Sequence, residues 1–298
     1  MNVGILSVDS LIPNLALMKL SAWHKVQGDR VEIAFPLAAH TYDRVYRSKQ
    51  FVERVTPRGI DYPDDRTPWP CEVVSGGTGY DLTARLPEWG DTIYPDYKLY
   101  GCKEAMGRFT RGCPRACSFC LVGKMDGTRV HQVAELEDFW HDQEVVRLLD
   151  DNLTAMPDLF IKVCERMAAK FIKVKFEALD VRFMTVDMAR SLVKVRRASR
   201  VHFAFDNVRD ETGVRRGIAA LKAGGFPLYA ATFYVLIGYG STPEEDAYRI
   251  DLLDALGVES FVMPFDKDDP YQKRLARETN RKQIFRTKHP RNREGSVS

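Results

Sequence analysis

No apolar run in this sequence of 298 residues approaches the ~18 consecutive residues that cross a bilayer, and the longest is broken near Tyr229 to Gly238. A membrane-spanning class is thereby excluded. The opening MNVGILSVDS carries no basic flank ahead of its apolar stretch, so no secretory signal is expected and the expected location is the cytoplasm. Solenoid repeats and low-complexity tracts are missing as well. What remains, 45% apolar, 29% charged and 11% aromatic residues, is the composition of a soluble globular protein, not of a collagen, a disordered chain or a disulfide scaffold. The length is about twice that of a usual domain, although single barrels reach it, so one large α/β domain or two domains are expected.

Net charge is also small, +3 over the whole chain, but it is unevenly spread. Residues Tyr271 to Ser298 hold nine Lys/Arg against Glu278 and Glu294, a local net of +7. The other 270 residues, with 35 Lys/Arg and 39 Asp/Glu, carry −4. A basic C-terminal tail on a mildly acidic body points to a polyanionic partner such as DNA or RNA, because Lys/Arg at phosphates release condensed counterions. The alternative is a solvated, partly disordered end.

Along the chain, GILSV predicts a strand, and LIPNLALMKLSAWHKVQG a helix with Leu15, Met18 and Ala22 at helical spacing and Gly28 at its end. VEIAF is a second strand, a third is expected near Phe51 to Val55, and CEVVSGGTGYD is read as a buried strand ending in glycines. That order describes a small open parallel sheet over residues 1–103. From Met106 strands and helices alternate regularly to ESFVMPF, with Thr185 and the pair Thr242 and Glu245 as helix N-terminal signals. The predicted fold class is α/β: a small Rossmann-like domain at 1–103, a partial (β/α)6 barrel at 104–270, and the tail at 271–298. Six predicted strand ends carry polar or glycine residues, and parallel sheets place their chemistry at that edge.

Three of the six cysteines, Cys113, Cys117 and Cys120, fall within eight residues in FTRGCPRACSFC. A cytosolic chain does not ordinarily keep disulfides, so the group reads as metal-binding or catalytic. Three thiolates at these intervals can hold three irons of a 4Fe-4S cube and leave the fourth open. A closed zinc site would need a fourth ligand, and His131 stands eleven residues on, beyond a glycine-containing loop. Zinc and a merely structural role are the competing readings.

The CxxxCx-aromatic-C loop, with Phe119 in the aromatic slot, follows a strand and opens a run of βα units; in this it resembles the radical S-adenosylmethionine superfamily. TRGCPRACSFC with the preceding GGTGYDL is similar to the subgroup whose radical domain follows a cobalamin-binding type of Rossmann-like domain. The resemblance implies that Cys113, Cys117 and Cys120 bind the cluster, and that S-adenosylmethionine chelates the open iron and is cleaved to a 5'-deoxyadenosyl radical. It implies an electron donor such as flavodoxin or ferredoxin. Phe119 would lie near adenine. Asp150, Asp151 and Asn152 stand where the family often has Gly-Gly-Glu, leaving a carboxylate for the S-adenosylmethionine ammonium. Asp206 is the candidate ribose partner, Arg182 the candidate for the methionine carboxylate, and Ile237 and Gly238 would flank adenine. For Asp206, Arg182 and Gly238 the competing reading is strand-end structure.

Cobalamin is not expected. Its lower ligand usually comes from an Asp-x-His-x-x-Gly loop after the first strand, where this chain reads SVDSLIPN, and the next histidine, His24, falls inside a predicted helix. Gly76-Gly77-Thr78-Gly79 reads as a tight turn in preference to a phosphate cradle. Cys71, Cys102 and Cys164 are too scattered for an auxiliary cluster, which argues against sulfur insertion. The leading expectation is a radical enzyme acting on a nucleic-acid base. The alternatives are radical modification of a small molecule or peptide, and a nucleic-acid-binding protein whose cluster is structural.

Overall fold

The computed structural model describes residues 1–51 and 68–288, with side chains to Arg281. The chain divides into two compact units, Met1–Leu148 and Leu149–Ser298.

In the first unit, β1 (Asn2–Ser7), α1 (Leu15–Val26), β2 (Arg30–Ile33), β3 (Arg44–Ser48) and β4 (Glu72–Gly76) build a parallel sheet in the order β2-β1-β3-β4. β1 is central and covered on both sides: Val3 and Ile5 pack with Leu17 of α1, while Leu6 packs with Val8, Ala34, Tyr42 and Val45. Burial of both faces is why its sequence is continuously apolar and not alternating. The Asn14 side chain caps α1 by accepting from the Leu17 N–H at 3.2 Å.

One strand arises where none was expected, and another differs in burial. Of the strand expected near Phe51 to Val55, residues 52–55 lie outside the described residues; the third strand of the sheet lies at Arg44–Ser48. Its polar composition hid it, since Arg44 and Arg47 find partners directly across the ladder in Glu72 and Ser75. β4 is a half-exposed edge strand and not a buried one, with Val74 open to solvent. The glycines after it form a tight turn, Tyr80 and Asp81 both donating to the Gly77 carbonyl at 3.0 Å.

The first unit continues through α2 (Trp89–Thr92), β5 (Ala105–Gly107), β6 (Thr110–Arg111), α3 (Val122–Met125), β7 (His131–Gln132) and β8 (Val145–Leu148). β5 and β8 pair in parallel, whereas β6 and β7 form a two-residue antiparallel ladder with Arg111 opposite His131. Between β7 and β8, within AELEDFWHD, the chain makes the 3-10 turn Leu136–Asp138.

The second unit alternates α4 (Pro157–Ala169), β9 (Lys173–Phe176), α5 (Val186–Lys194), β10 (Arg196–Arg197), β11 (Val201–Ala204), α6 (Glu211–Ala223), β12 (Ala231–Ile237), α7 (Pro243–Ala255), β13 (Glu259–Pro264) and α8 (Pro270–Lys288). β9 pairs with β10, and β11, β12 and β13 form a parallel sheet in chain order. One face of that sheet buries Phe203, Phe233, Val235 and Val262; the other carries the half-buried His202 and Tyr234 and the exposed Phe261 and Met263. Thr185 caps α5, and Thr242 and Glu245 make the expected capping box on α7. Phe171, in the turn after α4, adopts φ +55°, a left-handed conformation costly for any residue with a Cβ.

The basic segment from Tyr271 is helical as far as Lys288. On α8, Gln272 and Ala276 are buried, and the Asn280 amide accepts from the Val262 N–H at 2.9 Å and donates to the Val262 carbonyl at 3.1 Å. Residues 289–298 lie outside the described residues. Among the described residues no helix is long and apolar enough to cross a membrane.

Candidate functional site

The cysteine loop is tied at its neck by the β6–β7 ladder and again by the Cys113 N–H donating to the Gly127 carbonyl at 3.1 Å. Gly112, at φ +86°, opens it: a Cβ there would stand 2.4 Å from the Arg129 carbonyl oxygen, so only glycine lets the two chain ends approach. Ala116, between the first two cysteines, is also left-handed at φ +46°. Cys120 closes a turn by donating to the Cys117 carbonyl at 3.0 Å. All three thiols are half-buried, none is in a disulfide, and Phe119 beside them is exposed. Among the described residues no three His, Cys, Asp or Glu side chains stand close enough together to hold a metal ion, so the loop gathers the thiols without converging them. The donor set itself, three accessible soft sulfur ligands on a loop held at its ends, fits an iron–sulfur cube.

An ionic lattice that sequence reasoning missed underlies this loop. Arg111 donates to Asp91 at 2.6 Å and to Asp126 at 2.9 Å. Asp126, just beyond α3 and almost wholly buried, also has the Arg85 guanidinium at 3.6 Å and that of Arg108 at 3.9 Å. Arg85 further donates to the Met125 carbonyl. Nothing in the sequence spacing of Arg111 and Asp126 marks them as partners.

In the second unit the remaining candidates lie along the carboxyl ends of the strands. Asp150 and Asn152 are buried, Asp151 half-buried, and Asn152 accepts from the Thr154 hydroxyl at 2.7 Å. Thr154 accepts in turn from the Asp180 N–H at 3.0 Å. Asp180 holds Arg182 at 2.6 Å, and Arg182 pairs on its other side with Asp210. The guanidinium considered for the methionine carboxylate is thus already engaged by two carboxylates. Asp206 accepts from the Leu236 N–H at 2.9 Å, and burial pushes its carboxyl pKa up against the opposing pull of that N–H and of Arg249 and Arg182. Ile237 is buried in β12, and Gly238, at φ +76°, donates to Asp246 at 3.2 Å.

Arg249 anchors this edge from α7. Fully buried, it pairs with Asp246 at 2.6 Å and donates to the carbonyls of Phe205 at 2.9 Å and Leu236 at 3.0 Å, joining the ends of β11 and β12. On the open sheet face, His202 stacks on Tyr234 with ring centres 5.1 Å apart, and Glu177 lies 3.8 Å away. Burial lowers the His202 pKa, keeping the imidazole neutral.

The Rossmann-like sheet is closed at its switch point between β1 and β3, where Asp9 accepts from the N–H groups of Gln50 and Phe51 at 2.8 and 2.7 Å. His24 is fully buried, one ring nitrogen 2.7 Å from Asp29 and the other 3.0 Å from the Tyr46 hydroxyl, so neither is offered to a metal. A cavity of about 440 Å³ lies beside it, walled by Leu20, Trp23, Tyr46, Val74, Leu86 and Trp89. Cys71, Cys102 and Cys164 each have pKa values raised by burial.

No protein-family model matches the sequence. The anaerobic magnesium-protoporphyrin IX monomethyl ester cyclase of Cereibacter sphaeroides is 28% identical over 197 residues, 60% of this chain and 30% of that protein, so the chain spans about a third of that relative's length. Among solved structures, the radical S-adenosylmethionine methyltransferase TsrM from Kitasatospora setae, with cobalamin and a 4Fe-4S cluster bound, superposes with a TM-score of 0.63 at 14% identity. The match covers 88% of this chain and 74% of that one. These two matches bear out the resemblance to the radical S-adenosylmethionine superfamily read from the cysteine loop, and the second bears out the α/β fold, a Rossmann-like sheet with a partial barrel.

Proposed function

We propose that this chain, with the fold and cysteine loop of the radical S-adenosylmethionine superfamily, is a radical enzyme that cleaves S-adenosylmethionine reductively and abstracts a substrate hydrogen. The observation that carries the reading is the Cys113, Cys117, Cys120 loop, three accessible thiols on a segment pinned at both ends within a βα series. Those residues would hold a 4Fe-4S cluster, which when bound supplies the electron for breaking the sulfonium bond. Asp206 would receive the ribose hydroxyls, Asp150, Asp151 or Asn152 the ammonium, and Phe119, Ile237 and Gly238 the adenine. With Arg182 already paired to Asp180 and Asp210, it would orient those carboxylates as much as meet the methionine carboxylate. Flavodoxin or ferredoxin is the proposed class of electron donor.

The test is anaerobic reconstitution followed by assay for 5'-deoxyadenosine. About four irons and four sulfides per chain are expected. Cys113→Ala, Cys117→Ala and Cys120→Ala should each abolish both cluster and product, while Cys164→Ala should leave both. Equal loss in all four variants would overturn the three-ligand assignment.

For the substrate we favour a nucleic-acid base, on the basic outer face of α8, where Lys273, Arg274, Arg277 and Arg281 are exposed. A small-molecule substrate is the second reading, favoured by the relative named as a cyclase of a porphyrin ester. Cobalamin ligated through a protein imidazole is not part of the proposal, because both ring nitrogens of His24 are engaged and residues Ser7 to Asn14 include no histidine. Titration with hydroxocobalamin, followed by its visible spectrum, tests this; a histidine-ligated spectrum would refute it.

A further inference from the structure

Asp126 is a buried carboxylate facing three guanidinium groups, and it and its closest ionic partner, Arg111, come from opposite sides of the cysteine loop. Arg111 lies two residues before Cys113, whereas Asp126 lies six after Cys120, so their 2.9 Å contact spans the loop's base. Arg111 is fixed on its other side by Asp91 at the end of α2, through contacts of 2.6, 3.1 and 3.2 Å. Arg85 reaches the same base through Asp126 and the Met125 carbonyl.

A loop of this length with three sulfur ligands has no regular secondary structure across its cysteines, so something must offset the entropy of holding it closed. The two-residue ladder and the Cys113–Gly127 backbone hydrogen bond contribute to that closure. A carboxylate at 3% side-chain exposure, paired with Arg111, is a stronger tie, because losing Arg111 leaves this buried charge only the longer contacts to Arg85 and Arg108, and losing Asp126 leaves Arg111 held by Asp91 alone.

We propose that Arg111 and Asp126 form a clamp that positions the three thiols for cluster binding and sets the charge against which the cluster is reduced. The inference rests on the cluster reading for its second half only; loop closure belongs to the apoprotein. A cube with three thiolates gains one negative charge on reduction. The positive charge of Arg111 favours that state and the negative charge of Asp126 opposes it.

Removing the two charges therefore moves the cluster's reduction potential in opposite directions, up in Asp126→Asn and down in Arg111→Gln. A purely structural defect has no reason to invert its sign. In the full-length apoprotein, both substitutions should speed iodoacetamide labelling of Cys113, Cys117 and Cys120 several-fold, read by peptide mass mapping, while Cys102 of the same unit keeps its rate. Asp126→Glu, which preserves the charge, should retain slow labelling and most of the native potential.

Unchanged labelling in both variants, or potentials shifting in the same direction, would overturn the clamp. If Cys102 is unmasked as well, Asp126→Glu decides: loss of protection there too overturns the proposal. Wild-type protein that takes up no iron would instead sink the cluster reading, and labelling would still judge the clamp.

Discussion

Asp206 is a buried carboxylate that works against the fold when ionised. Burial is the largest influence on its carboxyl and raises its pKa above the usual 3.8. A group whose folded pKa exceeds its unfolded value is penalised where it is ionised, and the penalty is released as pH falls through the folded pKa. Asp206→Asn keeps an oxygen to accept from Leu236 and removes the charge. Its Tm at pH 7 should rise and the pH dependence of stability flatten. S-adenosylmethionine affinity should fall, since a charge-assisted contact contributes on the order of 1.5–3 kcal/mol. Thermal melts and calorimetric titration read the two effects separately; a lower Tm at pH 7 would contradict the burial account. His202 runs the other way. Burial lowers its pKa below 6.5, against the attraction of Glu177, so the unfolded chain binds the proton first and stability is lost as pH drops below that value. His202→Gln should remove this acid-side loss in melts recorded from pH 7 to pH 5.

Among the elements, the turn after α4 breaks a local rule. Phe171 is exposed and left-handed at φ +55°, a position at which glycine carries no Cβ penalty. Phe171→Gly should therefore stabilise the protein by about 1 kcal/mol, measured by urea unfolding. Thr242→Ala should cost about as much by removing the acceptor for the Glu245 N–H. Elements whose signals are local were legible in the sequence: the α5 and α7 caps and the apolar run of β1. β3 was not, because its arginines are satisfied by cross-strand partners known only once the sheet is formed. α8 was hidden for a related reason: its charges mask the short buried stripe of Gln272 and Ala276. At the site the three cysteines were readable from spacing, whereas Asp126 meets Arg111, Arg182 meets Asp210, and Arg249 reaches the Phe205 and Leu236 carbonyls across long stretches of chain. No local pattern encodes such pairs.

For the molecule as a whole, charge distribution is the property that separates the two substrate readings. If the outer face of α8 meets phosphates, the triple replacement of Arg274, Arg277 and Arg281 by glutamine should weaken binding to DNA or RNA. It should also flatten the log-log salt dependence by ~0.7–0.9 per lost contact. Production of 5'-deoxyadenosine without substrate should persist, because none of the three is among the proposed cofactor contacts. Point substitutions are the proper instrument, since deleting the segment from Tyr271 would strip Asn280 from β13. Intact protein with no salt-sensitive nucleic-acid binding would turn the reading to a small molecule.

The dependence of β13 on α8 also bears on how the protein is made. A ribosome delivers β13 before the helix that covers it, and the Asn280 amide that pairs with Val262 emerges 18 residues later. Over that interval the unpaired backbone edge of β13 has no lasting cover, a condition that invites misassembly. Asn280→Ala, which leaves the Val262 N–H and carbonyl at that edge without their amide partner, should therefore raise aggregation during refolding from urea, read by light scattering.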